Sequence, residues 1–219
     1  MDPRFWRERW LRNQIGFHQD RVNPRLQRYF DRLDLEPGDP VFVPLCGKSL
    51  DMLWLAQQGY RVVGAEISEV AVGAFFREQG LAPERQDRGA YVRYRDGAIT
   101  VLQGDFFHLQ AVDLGPVRAV YDRASLIALP PRLREDYAHR MGQLFPSGIR
   151  TLLITLEYPQ EEMDGPPFSV SDAEVAALFR HRHHCTLLHA EDVLQQAPRF
   201  RDRGLTRLYE KVFLLEPRR

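Results

Sequence analysis

The chain has only two cysteines, Cys46 and Cys185, in 219 residues. That is too few for a disulfide scaffold and suits a reducing compartment, with Cys46 filling a turn rather than reacting. It also lacks an excess of either charge. Its 30 basic residues are balanced by 30 acidic ones, so nothing favours a nucleic-acid backbone or an anionic membrane as partner. No run approaches the roughly 18 apolar residues of a membrane helix. The opening Met1-Asp2-Pro3-Arg4-Phe5-Trp6 has no apolar core of a secretion signal. These absences predict a cytoplasmic protein whose ligand is small; a monomer is expected. The sequence lacks, finally, the glycine patterns of two common nucleotide sites, and that absence bears on the stretch around which the rest is arranged.

In that stretch Val41-Phe42-Val43-Pro44-Leu45 is a short apolar run of the kind that forms a buried strand, and Cys46-Gly47-Lys48-Ser49 is a small-residue turn. Leu50, Met52, Leu53, Leu55 and Ala56 follow at helical spacing, Gln58-Gly59 stops the helix, and Arg61 to Ile67 is a second β-rich run. Strand, crossover helix and parallel strand make a nucleotide-binding βαβ half. Glu66, at the second strand's tip, stands 19 residues past Gly47, an offset from which a carboxylate accepts hydrogen bonds from both ribose hydroxyls. A phosphate loop would need glycine where Phe42 stands. A dinucleotide fold would need three glycines at the turn, and only Gly47 is available. A nucleoside without phosphates, such as S-adenosylmethionine (SAM), needs one close backbone approach and the ribose acid, and it fits best. An NAD(P)-dependent oxidoreductase remains the enzymatic rival, and a non-catalytic nucleoside-binding module the other alternative.

The remaining chain supplies the surroundings. Residues 3–13 read as an amphipathic helix with Asp2 as N-cap and Phe5, Trp6, Trp10 and Leu11 on one face. It has no place in the βαβ series and must lie outside the sheet, where Trp10 either covers a cofactor or simply packs. A loop with Phe17 and His18 and a second helix over 24–33 follow. Ser68 caps a helix reaching Gln79, and a hairpin through Asp96-Gly97 leads into a third parallel strand. At that strand's tip, Asp105-Phe106 suits an adenine, whose amine the carboxylate accepts while an aromatic or backbone group flanks the base. The plainer reading is a turn capped by Asp105. A fourth strand, 117–121, ends before Asp122-Arg123, and Arg123 either pairs with Asp122 or meets an anion at the crevice mouth. A helix from Pro131 to Leu144, a fifth strand over 150–156, a stiff wall-forming loop Asp164–Ser169 and a helix over 172–180 come next. His181 to Cys185 lacks a second ligand cluster and predicts no metal. Two last strands, joined by an Arg-rich loop over 198–204, form an antiparallel pair. The expectation is one α/β domain over 1–219 with residues 1–35 as a helical lid. Its core is a mostly parallel seven-stranded sheet closed by the C-terminal antiparallel hairpin, the Rossmann-like layout of SAM-dependent methyltransferases.

Five stretches carry a closer likeness: Val43 to Ser49, Val63 to Glu69, Asp122-Arg123, Gly165-Pro166-Pro167-Phe168 and Tyr209-Glu210-Lys211. Together they resemble the thiopurine S-methyltransferase family, its bacterial branch in particular, over nearly the whole chain. The resemblance implies that Trp10, Leu45, Glu66 and Arg123 contact SAM or the mouth of its site, and that Asp105-Phe106 lies along the adenine, although animal members carry Ser-Ile there. It implies that Phe17 and Arg199 line the substrate pocket. The implied reaction is methyl transfer to sulfur of thiopurines and aromatic thiols, with selenium and tellurium compounds as further acceptors. Arg123 and Arg199 would then stabilise the anionic sulfur, with His18 a polar neighbour and no metal required.

Overall fold

In the computed structural model, which describes residues 3–218, prolines and small polar caps set most element boundaries. The chain divides into two compact units, one reaching Tyr121 and one starting at Asp122.

In the first unit, α1 (Pro3–Leu11) and α2 (Pro24–Tyr29) precede β1 (Pro40–Val43), α3 (Leu50–Gln57), β2 (Arg61–Glu66) and α4 (Glu69–Glu78). Then come β3 (Glu84–Asp87), β4 (Tyr91–Asp96), β5 (Ile99–Gly104), α5 (Ala111–Leu114) and β6 (Ala119–Arg123), whose last two residues fall in the second unit. Pro24 starts α2, and the Asn23 side chain accepts the Arg25 N–H at 2.8 Å. Ser49 and Ser68 cap α3 and α4 in the same way. The strands lie in the order β3-β4-β5-β2-β1-β6. β1 is parallel to β2 and β6, and β2 to β5, while β3, β4 and β5 pair antiparallel. Covered on both faces, β1 is wholly buried, and for that reason it reads as a continuous apolar run.

The second unit holds α6 (Ser125–Ala128), α7 (Pro131–Leu144), β7 (Arg150–Glu157), α8 (Asp172–Phe179), β8 (His183–Asp192), α9 (Pro198–Arg201) and β9 (Tyr209–Pro217). β9 lies antiparallel between β7 and β8. The segment joining β8 to β9 closes on Tyr158, Leu194, Phe200, Leu205 and Leu208, an apolar cluster of its own.

Several boundaries differ from the sequence expectation. The α1 helix ends at Leu11, which is 70% exposed, so its apolar face is narrower than spacing implied; the Asp2 cap lies outside the described residues. The helix over 24–33 is α2 plus a 3-10 turn, Phe30–Leu33. Nine strands occur among the described residues, where seven were expected. β3, Glu-Arg-Gln-Asp, has no apolar alternation to mark it as a strand, and β4 is the first arm of the hairpin into β5. The fourth strand runs two residues further than expected, so Arg123 is its last residue. Arg199 sits on a short helix, not in an open loop. No helix among the described residues is long and apolar enough to cross a membrane.

Candidate functional site

After β1 the backbone turns twice through the left-handed region, at Leu45 (φ 46°) and Gly47 (φ 54°). A leucine there is strained by about 1–3 kcal/mol and persists only when its surroundings hold it. The holding bonds come from the end of β2. Cys46 N–H donates to the Ala65 carbonyl at 2.9 Å, Gly47 N–H to Glu66 Oε2 at 2.9 Å, and Ser68 N–H to Glu66 Oε1 at 2.7 Å. Glu66 is 6% exposed. Burial pushes its carboxyl above the ordinary glutamate range, and the N–H groups of Ser68, Gly47 and Ile67 work against that rise. Each carboxylate oxygen retains a second lone pair, so the group still has capacity for two sugar hydroxyls. The amides of Cys46, Gly47 and Ser49 are all engaged within the protein, so the turn offers hydroxyl-accepting oxygens rather than a row of amides for a phosphate. Lys48, the residue a phosphate would want, holds both oxygens of Glu78 at 2.9 and 2.8 Å. Cys46 fills the turn, its thiol pushed well up by burial and by Glu66.

The indole of Trp10 lies on the same turn. A Cβ at Gly47 would stand 3.1 Å from Trp10 Cζ2, and Trp10 is buried. Arg7 Nε reaches the Ile67 carbonyl at 3.5 Å, so α1 crosses the carboxyl ends of β1 and β2, where ligands of open α/β sheets bind. Phe17 stands edge-on to both Trp10 and Trp6, ring centroids 5.6 and 5.4 Å apart. The half-buried His18 follows it. The structure therefore brings Trp10, Leu45, Gly47, Glu66 and Phe17 to one end of this unit.

At the β5 tip Asp105 Oδ1 accepts the Phe107 N–H at 3.0 Å and caps a 3-10 turn. The Phe106 ring is 2% exposed and stacked on Phe42 in the core, centroids 6.5 Å apart, which leaves its backbone as the group to flank a base. One group escaped the sequence entirely. The buried Asp51 accepts the Asn23 N–H at 2.8 Å and the Tyr121 hydroxyl at 2.9 Å, anchoring the segment behind α1 to the start of α3. Its position beside the Ser49 cap reads as an ordinary acidic first turn, and nothing local signals its distant partners.

In the second unit, Arg123 closes β6 and Ala124 follows in the left-handed region at φ 72°. Asp122 is buried, and its Oδ2 accepts the Tyr137 hydroxyl at 2.6 Å. Burial pushes its carboxyl up to about 6, against the hydrogen bonds of Tyr137 and Ser125. The guanidinium of Arg199 lies 4.6 Å over the Phe200 ring. Among the described residues no three His, Cys, Asp or Glu side chains come together as a metal site.

Against known proteins, a model of the thiopurine S-methyltransferase family matches residues 1–218. The chain is 50% identical over 218 residues to a thiopurine S-methyltransferase of Azotobacter vinelandii, covering 100% of both chains. It is 50% identical over 216 residues to that of Pseudomonas aeruginosa strain UCBPP-PA14, covering 99% of each. Among solved structures, a SAM-dependent methyltransferase from Anabaena variabilis superposes with a TM-score of 0.66 at 14% identity, over 99% of this chain and 95% of that one.

Proposed function

The chain belongs to the thiopurine S-methyltransferase family, and from that membership we infer that it transfers the methyl group of SAM to the sulfur of thiopurines and other aromatic thiols. The observation that carries the reading is the meeting of the Gly47 amide with the Glu66 carboxylate at 2.9 Å, under Trp10, at the carboxyl ends of parallel strands. SAM supplies a methyl group on a positively charged sulfur. An acceptor thiolate forms the new carbon–sulfur bond as the old one breaks, and the thiol proton goes to water.

The protein's own share is binding, orientation and exclusion of water. Glu66 and the Gly47 turn hold the nucleoside, Leu45 and Trp10 close on it, and Asp105 with the Phe106 backbone borders the adenine. Phe17 and His18 lie on the acceptor side. Arg123 and Arg199 are assigned to the anionic sulfur, Arg123 with a share in the cofactor site. The left-handed Ala124, a strained residue directly after Arg123, supports a fixed role there. Because the family match runs across 1–218, the chain is read as one methyltransferase domain with residues 1–35 as its lid. Selenium and tellurium compounds are proposed as further acceptors, and a cytoplasmic monomer as the working form.

Calorimetry with SAM, its demethylated product and NADH tests the cofactor assignment. Binding of the first two at one site without NADH is expected, and NADH binding in their place would favour an oxidoreductase.

A further inference from the structure

Arg134 is a guanidinium in the core of the second unit, 1% exposed. Taking such a charge out of water is costly, and a well-packed apolar side chain of similar volume commonly serves stability as well or better. Its partners come from three separate pieces of chain. Nε donates to the carbonyls of Leu126 at 3.1 Å and Leu129 at 3.0 Å, at the end of α6. Nη1 donates to the Ser169 carbonyl at 3.0 Å and to both Glu174 oxygens, on α8, at 2.6 Å. These bonds tie the turn that follows Arg123 to the segment Gly165–Ser169.

That segment has no regular secondary structure, yet it is braced on several sides. Phe168 N–H donates to the Ile127 carbonyl at 2.7 Å, again in α6. The Tyr158 hydroxyl donates to the Pro167 carbonyl, and the Ser169 hydroxyl to the Tyr158 carbonyl at 2.7 Å. The Phe168 ring is folded onto Gly165, where a Cβ would stand 2.5 Å from its Cδ1, and the Arg134 guanidinium lies 6.0 Å from the ring centroid. A preformed wall lowers the ordering cost of binding a flat ligand.

We propose that Arg134, held by Glu174, is a positioning residue for acceptor selection: it fixes Phe168 and its loop relative to the strand end that carries Arg123, so that an aromatic thiol meets a preformed wall. The proposal rests on the methyl-transfer reading. Steady-state kinetics with 6-mercaptopurine and thiophenol, together with SAM calorimetry, test it on the full chain, its Arg134→Lys variant, and Glu174→Gln, which leaves the buried guanidinium in place should Arg134→Lys fold poorly. Expected are a rise of about tenfold or more in KM for 6-mercaptopurine, a smaller rise for the single-ring thiol, and SAM affinity unchanged within about twofold. A purely structural role would lower kcat through a reduced active fraction and leave the acceptor KM alone, and that result overturns the proposal, as does an equal loss of SAM affinity. Failure of the unsubstituted protein to methylate either thiol would show up on its own, and would sink the methyl-transfer reading and this inference with it.

Discussion

At the scale of single residues, Glu66 does two jobs that a substitution can separate. Its oxygens satisfy the N–H groups of Gly47 and Ser68 and are assigned to the ribose. Glu66→Ala removes both functions and should cost about 1–3 kcal/mol of stability for the buried donors left unpaired. Glu66→Gln keeps one carbonyl acceptor for one of the two N–H groups and turns an NH2 donor toward the other, so it should retain about half of that stability while SAM binding weakens by about 1.5–3 kcal/mol. Thermal melts beside calorimetry check this, and Glu66→Gln with wild-type affinity would remove the carboxylate from the ribose. Asp122 offers a pH test. Its carboxyl is raised from 3.8 to about 6 by burial, so the folded protein binds the proton more tightly than the unfolded chain. This contribution to stability is fully present below about pH 4 and is lost as pH rises through about 6, an effect of about 3 kcal/mol for the group alone. Asp122→Asn should therefore flatten the fall in stability between pH 4 and 7 and gain most on wild type at pH 7. An unchanged slope in urea melts across that range would show that Asp122 titrates normally.

At the scale of elements, α1 carries the clearest expectation. The contact between Trp10 and Gly47 is compatible with plain packing and with a cover over the cofactor, and the two differ in what Trp10→Ala does. As a cover, Trp10 loses contact with the ligand, and SAM affinity should fall by about 1–2 kcal/mol with α3 and β2 intact. Plain packing predicts lower stability with unaltered affinity, which calorimetry beside melting curves would reveal. The elements that the sequence disclosed are those whose own pattern specifies them. β1 is a buried apolar run, α3 and α4 have serine caps, α7 starts on Pro131, and the β4–β5 hairpin turns at Gly97 (φ 52°). What stayed hidden depends on partners far along the chain. The four-residue helices α6 and α9 are too short to show a period, and β3 is polar and defined only by its pairing with β4. Arg134 reads as one more charge on a surface helix until its acceptors, up to 40 residues away, are seen. The direction of the Phe106 ring stayed hidden for a related reason, since position at a strand tip does not say which way a ring turns.

At the scale of the whole molecule, the family match over 1–218 shows the family and the structural likeness shows the fold. The meeting of the turn with the acid at the second strand's tip was legible because Gly47 and Glu66 lie 19 residues apart on one βαβ unit. The acceptor-side assignment of Phe17, Arg123 and Arg199 comes from resemblance alone, because they lie in separate stretches with no spacing rule to join them. The most direct test of the account is mass spectrometry of 6-mercaptopurine incubated with the purified protein and SAM bearing a deuterated methyl group. The account predicts the deuterated methyl on the sulfur of the product, in step with loss of SAM. Measured SAM binding without an S-methylated product, from this thiol, from thiophenol and from reduced selenium species alike, would contradict it.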